Sequence, residues 1–329
     1  MLLFYLSITL PVAALAAGME ALWGYPTRLL GKIGHPVMWI GALIDRLEQG
    51  LNRANTPERT RCILGFVALA LIIAIPLALT FALLWVGYTL LPAPVMLLVQ
   101  AALASTLVAQ RSLWVHVHAV GVALRHKGLP GGRQAVSMIV GRDTTALDEA
   151  GIVRAALESL AENFSDGIVA PLVWTALFGL PGAVFYKSVN TADSMIGHMS
   201  PRYKAFGMAA AKLDDLINLP ASRLAALCLM LAAPKQEWPH IWRTIKRDAP
   251  RHRSPNAGWP EAAMAAALNT LLAGPRSYGG TLTKDPWIGS GTSGAVVADL
   301  DRGLRLYRRA CGLLIAGLLC AALGCMIVQ

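Results

Sequence analysis

Four stretches of this 329-residue chain carry side chains with which chemistry could be done. In the first, Arg154, Glu158, Glu162 and Asp166 recur every four residues, a spacing that puts them on one helical face. Such a face is either solvated, with Arg154 and Glu158 as a minor surface pair, or a carboxylate cluster for Mg²⁺, which takes oxygen ligands and bound polyphosphate. In the second, running from Tyr186 to Ser194, a helix would align Asn190, Asp193, Ser194 and His198. In the third, Lys212, Asp214, Asp215 and Asn218 precede an apolar segment. Acids and amides at a membrane boundary, with lysines nearby, suit a metal–phosphate site; the same residues also cap helix ends or snorkel. The fourth runs from Arg247 to Glu261, where Pro and Gly predict a structured loop dense in Arg and His. It suits either a phosphate or carboxylate ligand or anionic lipid.

Other signals carry less. There is no G-x-x-x-x-G-K-[ST] phosphate loop. The run Gly289–Gly294 reads as a flexible loop rather than a phosphate cradle. His116 and His118 would point apart on a helix and read as structural. No G-x-S-x-G motif and no Cys/His pairing supports a covalent nucleophile, and the basic residues lack the interleaved aromatics of a nucleic-acid surface.

The elements that must position these residues are set by composition. Only 15% of the chain is charged and 55% is hydrophobic, with mean hydropathy +0.52, which excludes disorder and argues against a soluble domain. The expected fold is all-α: a single membrane-integrated domain over 1–329 that passes the bilayer several times. The 49 residues between Arg61 and Arg111 hold no charge. As one helix they would span about 74 Å, over twice a hydrocarbon core of about 30 Å. They must fold back, and Leu91-Pro92-Ala93-Pro94 is the turn. Clear spans are thus expected near 1–19, 62–90, 95–110 and 310–329. Residues 1–19 read as an uncleaved span rather than a signal peptide, because no positive segment leads them. Residues 167–186 and 216–233 are apolar but interrupted by Pro, Gly or Arg, so hydropathy leaves open whether they span or dip. Seven charges in 187–215 would cost on the order of 20 kcal/mol at mid-bilayer, which puts that connector in water or a polar cavity. Residues 141–166 read as a helix with Thr145 and Asp148 as a capping box. The motif-rich polar regions are therefore 141–166, 187–215 and 247–264.

The net charge is +10, and groups of six Lys/Arg fall in 20–61, 111–166, 235–253 and 276–309. The positive-inside rule puts these segments in the cytoplasm and both termini outside, with the active face cytoplasmic in a cell (inner) membrane. Five cysteines without metal-ligand spacing make neither a disulfide framework nor a zinc site.

These polar blocks, in combination and order, resemble the CbiB/CobD family, the adenosylcobinamide-phosphate synthases of cobalamin biosynthesis. The resemblance covers nearly the whole chain. It begins at Gly34-His35-Pro36-Val37, Ile40-Gly41 and Leu47-Glu48. It is strongest over Gly141-Arg142-Asp143-Thr144, Leu147-Asp148, Arg154-Ala155, Glu158-Ser159, Ala161-Glu162-Asn163 and Asp166-Gly167. It continues through Asn190-Thr191, Asp193-Ser194-Met195, Arg202-Tyr203, Leu213-Asp214-Asp215 and Ser254 to Met264. Three blocks depart: Gly24-Tyr25-Pro26 stands for Gly-Asp-Pro, Pro220-Ala221-Ser222-Arg223-Leu224 carries an extra Ser, and Leu272-Ala273-Gly274 stands for Leu-Gly-Gly.

The resemblance implies a multi-pass membrane enzyme using ATP and Mg²⁺ to join the carboxylate of adenosylcobyric acid to (R)-1-amino-2-propanol or its O-phosphate. The partners are then the corrinoid, the amine and membrane lipid, with association with other cobalamin-pathway enzymes left open. On this reading Glu158, Glu162, Asp166, Asp193, Asp214 and Asp215 form the catalytic pool. Mg²⁺ ligands come from among Glu158, Glu162, Asp193, Asp214 and Asp215, and one acid of the pool deprotonates the amine. Arg142, Lys187, Arg202, Lys212 and Arg253 are the expected phosphate contacts, and His35, Asn190, Ser254 and Asn256 the expected substrate-positioning residues. Two competing readings are a non-catalytic transporter or corrinoid carrier, and a Mg²⁺-dependent membrane transferase acting on a diphosphate donor. The first is disfavoured by the charge-free hairpin, the second by the motif order.

Overall fold

The computed structural model describes residues 2–278, 281–283 and 285–328. Twelve α-helices follow in chain order: α1 (Leu2–Trp23), α2 (Thr27–Ile33), α3 (Pro36–Leu51), α4 (Glu58–Leu90), α5 (Ala93–Ser105), α6 (Gln110–Ser137), α7 (Glu149–Phe164), α8 (Ala170–Ile196), α9 (Met208–Ala232), α10 (Trp238–Asp248), α11 (Gly258–Leu268) and α12 (Val297–Ile327). A π-helical turn, Ser165–Val169, leads from α7 into α8. Among the described residues four short strands, β1 (Leu272–Ala273), β2 (Arg276–Tyr278), β3 (Thr281–Thr283) and β4 (Trp287–Ile288), pair antiparallel as β1–β4 and β2–β3.

Six segments among the described residues are helical, long and apolar enough to cross a bilayer: Tyr5–Trp23, Glu58–Leu90, Ala93–Ser137, Glu149–Ile196, Met208–Ala232 and Val297–Ile327. The chain is an all-α, multi-pass membrane protein. The proline hairpin is where the sequence puts it, since α4 ends at Leu90 and α5 starts at Ala93. The 95–110 stretch lies inside a longer qualifying segment and is not one continuous helix. α5 has 13 residues, about 20 Å of helix, and only the longer stretch Ala93–Ser137 qualifies. The two interrupted segments both lie within qualifying helices. Gly179 breaks the regular geometry of α8 with φ 65°, a left-handed conformation that suits glycine, so the chain bends there and Pro181 starts the next turns without a lost hydrogen bond. Residues 187–196 and 208–215, expected in a connector in water or a polar cavity, are the last turns of α8 and the first of α9.

The capping box is also corrected. α7 starts at Glu149, and its cap is Asp148, which accepts the N–H of Gly151 at 2.7 Å. Thr145 lies outside the helix and donates its N–H and hydroxyl to Asp143 Oδ1 at 2.9 and 2.7 Å.

The chain divides into two compact units. The first comprises residues 1–109, 170–218 and 317–329. There α1 packs on α5 and α8 through small residues, Ala16, Ala101, Ala104 and Ala183, which let helix backbones approach closely. A second cluster seats α3, α4 and α8 around Ile44, Ile72, Ala192 and Phe206. Gly65 is required here: a Cβ would lie 2.0 Å from the Phe206 carbonyl oxygen. The second unit comprises residues 110–169 and 219–316. α7 is its buried centre, with Ile152, Leu157, Leu160 and Phe164 fully enclosed. It packs on α6, α11 and β1, and the Phe164 ring meets Tyr307 edge-on at 5.7 Å.

Candidate functional site

In the first unit the C-terminal turns of α8 and the N-terminal turns of α9 bring the second and third polar stretches together. Asp214, 8% exposed, is held through both carboxylate oxygens by neutral donors. Asn190 donates to Oδ1 at 3.4 Å and Asn218 to Oδ2 at 2.9 Å. Asn218 stands four residues after Asp214 on the same helix face, and the buried Tyr186 hydroxyl donates to its Oδ1 at 3.0 Å. On the other flank Lys187 Nζ donates to Asn190 Oδ1 at 3.4 Å. The result is a relay from Lys187 through Asn190 to Asp214, and from Tyr186 through Asn218 to the same carboxylate. The charges of Asp193 and Asp215 both bear on Asp214, and that of His198 on Asp193. Asp215 and Lys212 are exposed.

His35 joins this group from the start of α3. Its Nδ1 accepts the N–H of Val37 at 3.2 Å as an N-cap. Burial, then the positive charge of Lys187, holds its pKa below the ordinary histidine value. Tyr25, standing where the resembled motif has an acid, sets its ring 4.4 Å from His35 and gives its hydroxyl to the Gly34 carbonyl at 2.7 Å. Arg202 is engaged in another way: its Nε and Nη2 grip Glu48 at 2.8 and 2.7 Å. That fork holds the Glu48 pKa below the usual carboxylate range, against the opposing effect of burial and with help from Asn52. Sequence reasoning missed Glu48 as Arg202's partner, because 153 residues separate the two.

The second unit holds the first and fourth stretches. Glu158 is buried; its Oε1 accepts the Ala273 N–H at 2.8 Å and its Oε2 lies 3.1 Å from Arg142. Arg154 does not pair with it. Arg154 packs over the Trp287 ring at 5.4 Å and donates to the Ser293 carbonyl, so the surface pair expected four residues apart is absent. Arg142, Glu158, Glu162, Asn163 and Glu261 line a small cavity of about 120 Å³. Asp166 stands half-buried in the π-helical turn. Glu261 went unremarked in the sequence as a neighbour of this acidic face.

The basic loop after α10 closes on itself. Ser254 Oγ accepts the N–H groups of Asn256 and Ala257, each at 3.2 Å, and buried Asn256 accepts from Ser222 and Arg223 at 3.0 and 2.9 Å. Asp248, 1% exposed, receives Arg247 at 2.7 Å and the Gly289 N–H at 2.9 Å. Burial alone would raise its pKa; those hydrogen bonds with the charges of Arg247 and Arg251 outweigh it and hold the pKa low. Ser254 and Asp248 thus shape the loop. Arg253 is exposed at the rim of a larger cavity.

Among the described residues no three His, Cys, Asp or Glu side chains gather into an all-protein metal cage. Mg²⁺ does not need one, since it commonly binds one or two carboxylates and completes its shell with water and phosphate oxygens. Asp193 and Asp215, flanking Asp214, fit that requirement. Glu158 fits it less well, because both its oxygens are already engaged.

A family model described as CobD/Cbib protein matches residues 13–307. The chain is 50% identical over 300 residues to a protein of Rhodobacter capsulatus named cobalamin biosynthesis protein CobD, covering 90% of this chain and 91% of that one. A protein of the same name from a Sinorhizobium species is 45% identical over 310 residues, covering 91% and 94%. Another, from Rhizobium meliloti, is 42% identical over 317 residues, covering 95% and 96%. No solved structure matches the chain.

Proposed function

The chain belongs to the CobD/CbiB family, and on that premise we propose that it is an enzyme of cobalamin biosynthesis. Its reaction is the ATP-dependent joining of the adenosylcobyric acid carboxylate to (R)-1-amino-2-propanol or its O-phosphate. The observation that carries this reading is the Asp214 arrangement, a buried carboxylate oriented by two amides, flanked by two more acids and approached by Lys187.

A carboxylate is inert toward an amine until one oxygen becomes part of a leaving group. In the proposed reaction the corrinoid carboxylate oxygen attacks the γ-phosphorus of ATP, releasing ADP. The amine nitrogen then attacks the acyl carbon, inorganic phosphate departs, and the nitrogen gives up a proton as the amide forms. Asp193 and Asp215 would hold Mg²⁺, which when bound neutralises charge on the polyphosphate. Asp214, fixed through both oxygens, adds a third acidic group beside them, and an acid of this group takes the amine proton. Lys187 and Lys212 supply positive charge for phosphate, and Asn190 and His35 position the substrate. The distribution of basic segments supports a cytoplasmic orientation of this face in the cell membrane.

The test uses the purified full chain in detergent with adenosylcobyric acid, Mg²⁺-ATP and either amine. Amide detected by mass spectrometry with one ADP per product supports the ligase. Corrinoid binding without product, under all acceptor and lipid conditions tried, would replace it with a carrier.

A further inference from the structure

Residues 216–232 hold one charged side chain, Arg223, in a helix long and apolar enough to cross a membrane. A cation in such a helix is costly, and it is retained where it has work to do. Arg223 is half-buried, and all its hydrogen bonds leave from Nη1, to neutral oxygens: Leu219 O at 3.2 Å, Ser222 Oγ at 2.9 Å and Asn256 Oδ1 at 2.9 Å. Among the described residues no carboxylate pairs with it, and its Nε–H and Nη2–H donors have no protein acceptor. The guanidinium lies over the Trp259 ring, 4.5 Å from its centroid.

This group faces a cavity of about 360 Å³ lined by Arg223, His252, Arg253, Trp259 and two prolines, with no acid among the lining residues. His252 Nδ1 accepts the Ser254 N–H at 3.0 Å, which turns its Nε2 to Glu261, 3.7 Å away. Glu261 is thus the acid nearest His252, and two arginines, Arg223 and Arg253, line the cavity. The volume lies at the lower end of the small-molecule range and admits a phosphate with a short organic tail.

We propose that the cavity formed by Arg223, Arg253 and Trp259 receives the phosphate group of a phosphorylated ligand. The planar fork of Arg223 matches phosphate geometry, its braced Nη1 fixes the direction of the remaining donors, and Trp259 covers the cation's face. The inference rests on the ligase reading only for the identity of the ligand, a phosphorylated substrate of that reaction. The phosphate chemistry stands on the cavity itself.

The experiment measures equilibrium binding of radiolabelled inorganic phosphate to the full chain in uncharged detergent, alongside R223Q, R253Q and N256D. N256D keeps an acceptor for Arg223 but sets a carboxylate against it. A purely structural Arg223 would tolerate N256D, whereas a phosphate receptor would not. The expected result is saturable binding, weakened at least about ten-fold in R223Q and N256D and several-fold in R253Q, with the phosphate-induced rise in melting temperature reduced in parallel. Variants that are monodisperse and bind phosphate within two-fold of the unaltered chain overturn the proposal, as does non-saturable binding to the unaltered chain. R253Q, at the exposed rim, keeps the test decisive if R223Q does not fold. Nanodiscs of phosphatidylcholine with and without phosphatidylglycerol separate the sources. Displacement of phosphate by the anionic lipid identifies a headgroup site, and undiminished binding identifies a soluble phosphorylated molecule. Arg223-dependent phosphate binding in a chain that forms no amide sinks the ligase and leaves this site. Amide formation with phosphate binding indifferent to Arg223 does the reverse.

Discussion

The two units treat charge in opposite ways. In the first, Asp214 is held, among the described residues, by the neutral donors Asn190 and Asn218, with the charges of Asp193 and Asp215 pressing on it. In the second, the comparable acid, Glu158, is answered by Arg142 and a backbone N–H, while the cation Arg223, among the described residues, is held by neutral oxygens. A carboxylate already matched by a guanidinium contributes to folding and has little left for a ligand. One oriented by amides alone has no counter-ion of its own and is left to meet a metal or take a proton. The same distinction separates Arg202, spent on Glu48, from Arg223.

This contrast can be broken by mutation. Asp214→Asn preserves shape and removes charge. Amide formation should fall by on the order of 100-fold or more, with membrane insertion and melting temperature retained; turnover like that of the unaltered chain would end the assignment, and Asp193→Ala should behave alike. Glu158→Gln should do the opposite, because removing one partner of a buried pair costs about 3–5 kcal/mol. Thermal unfolding should drop sharply, while the molecules that remain folded keep most of their activity. Equal loss of turnover at unchanged stability would return Glu158 to the catalytic pool.

Smaller effects follow from pH. The folded-state pKa of Glu48 is depressed, so its pair with Arg202 contributes fully above the ordinary glutamate value of 4.5. That contribution is lost as pH falls through the folded value. Arg202 is 60% exposed, so solvent screening keeps the pair's contribution small. Melting temperatures of the unaltered chain and of Arg202→Ala should differ at pH 7 and converge as the pH drops well below 4. His35 should give the smallest signal. Its pKa is lowered, so the folded state binds fewer protons and stability declines as pH falls below 6.5. His35→Gln should flatten that slope and cost about 1 kcal/mol as the N-cap is lost. A slope unchanged by the substitution would remove His35 from the account.

Much of this architecture was legible. The hairpin at Leu91–Pro94 could be read because proline acts locally and a charge-free run of that length has no other way to fit a bilayer. Hydropathy left 167–186 undecided, because Gly179 and Pro181 each look like a break. Only the backbone shows them sharing a single bend, on either side of which α8 continues. Thr145 and Asp148 are both good capping residues, and the choice fell to Asp148 because the Asp143 side chain took the Thr145 N–H. The four-residue spacing of Arg154 and Glu158 suggested a pair, but tertiary partners at Trp287, Ser293, Arg142 and Ala273 drew them apart.

By itself the sequence determined the membrane character, the proline hairpin, the polar blocks and, through their order, the family. These depend on composition and on residues near one another in the chain. The tertiary structure alone decided which charges are neutralised and which remain for a ligand. Neutralisation depends on partners distant in sequence, such as Ala273 for Glu158, Arg202 for Glu48 and Asn256 for Arg223, and local spacing carries no record of them.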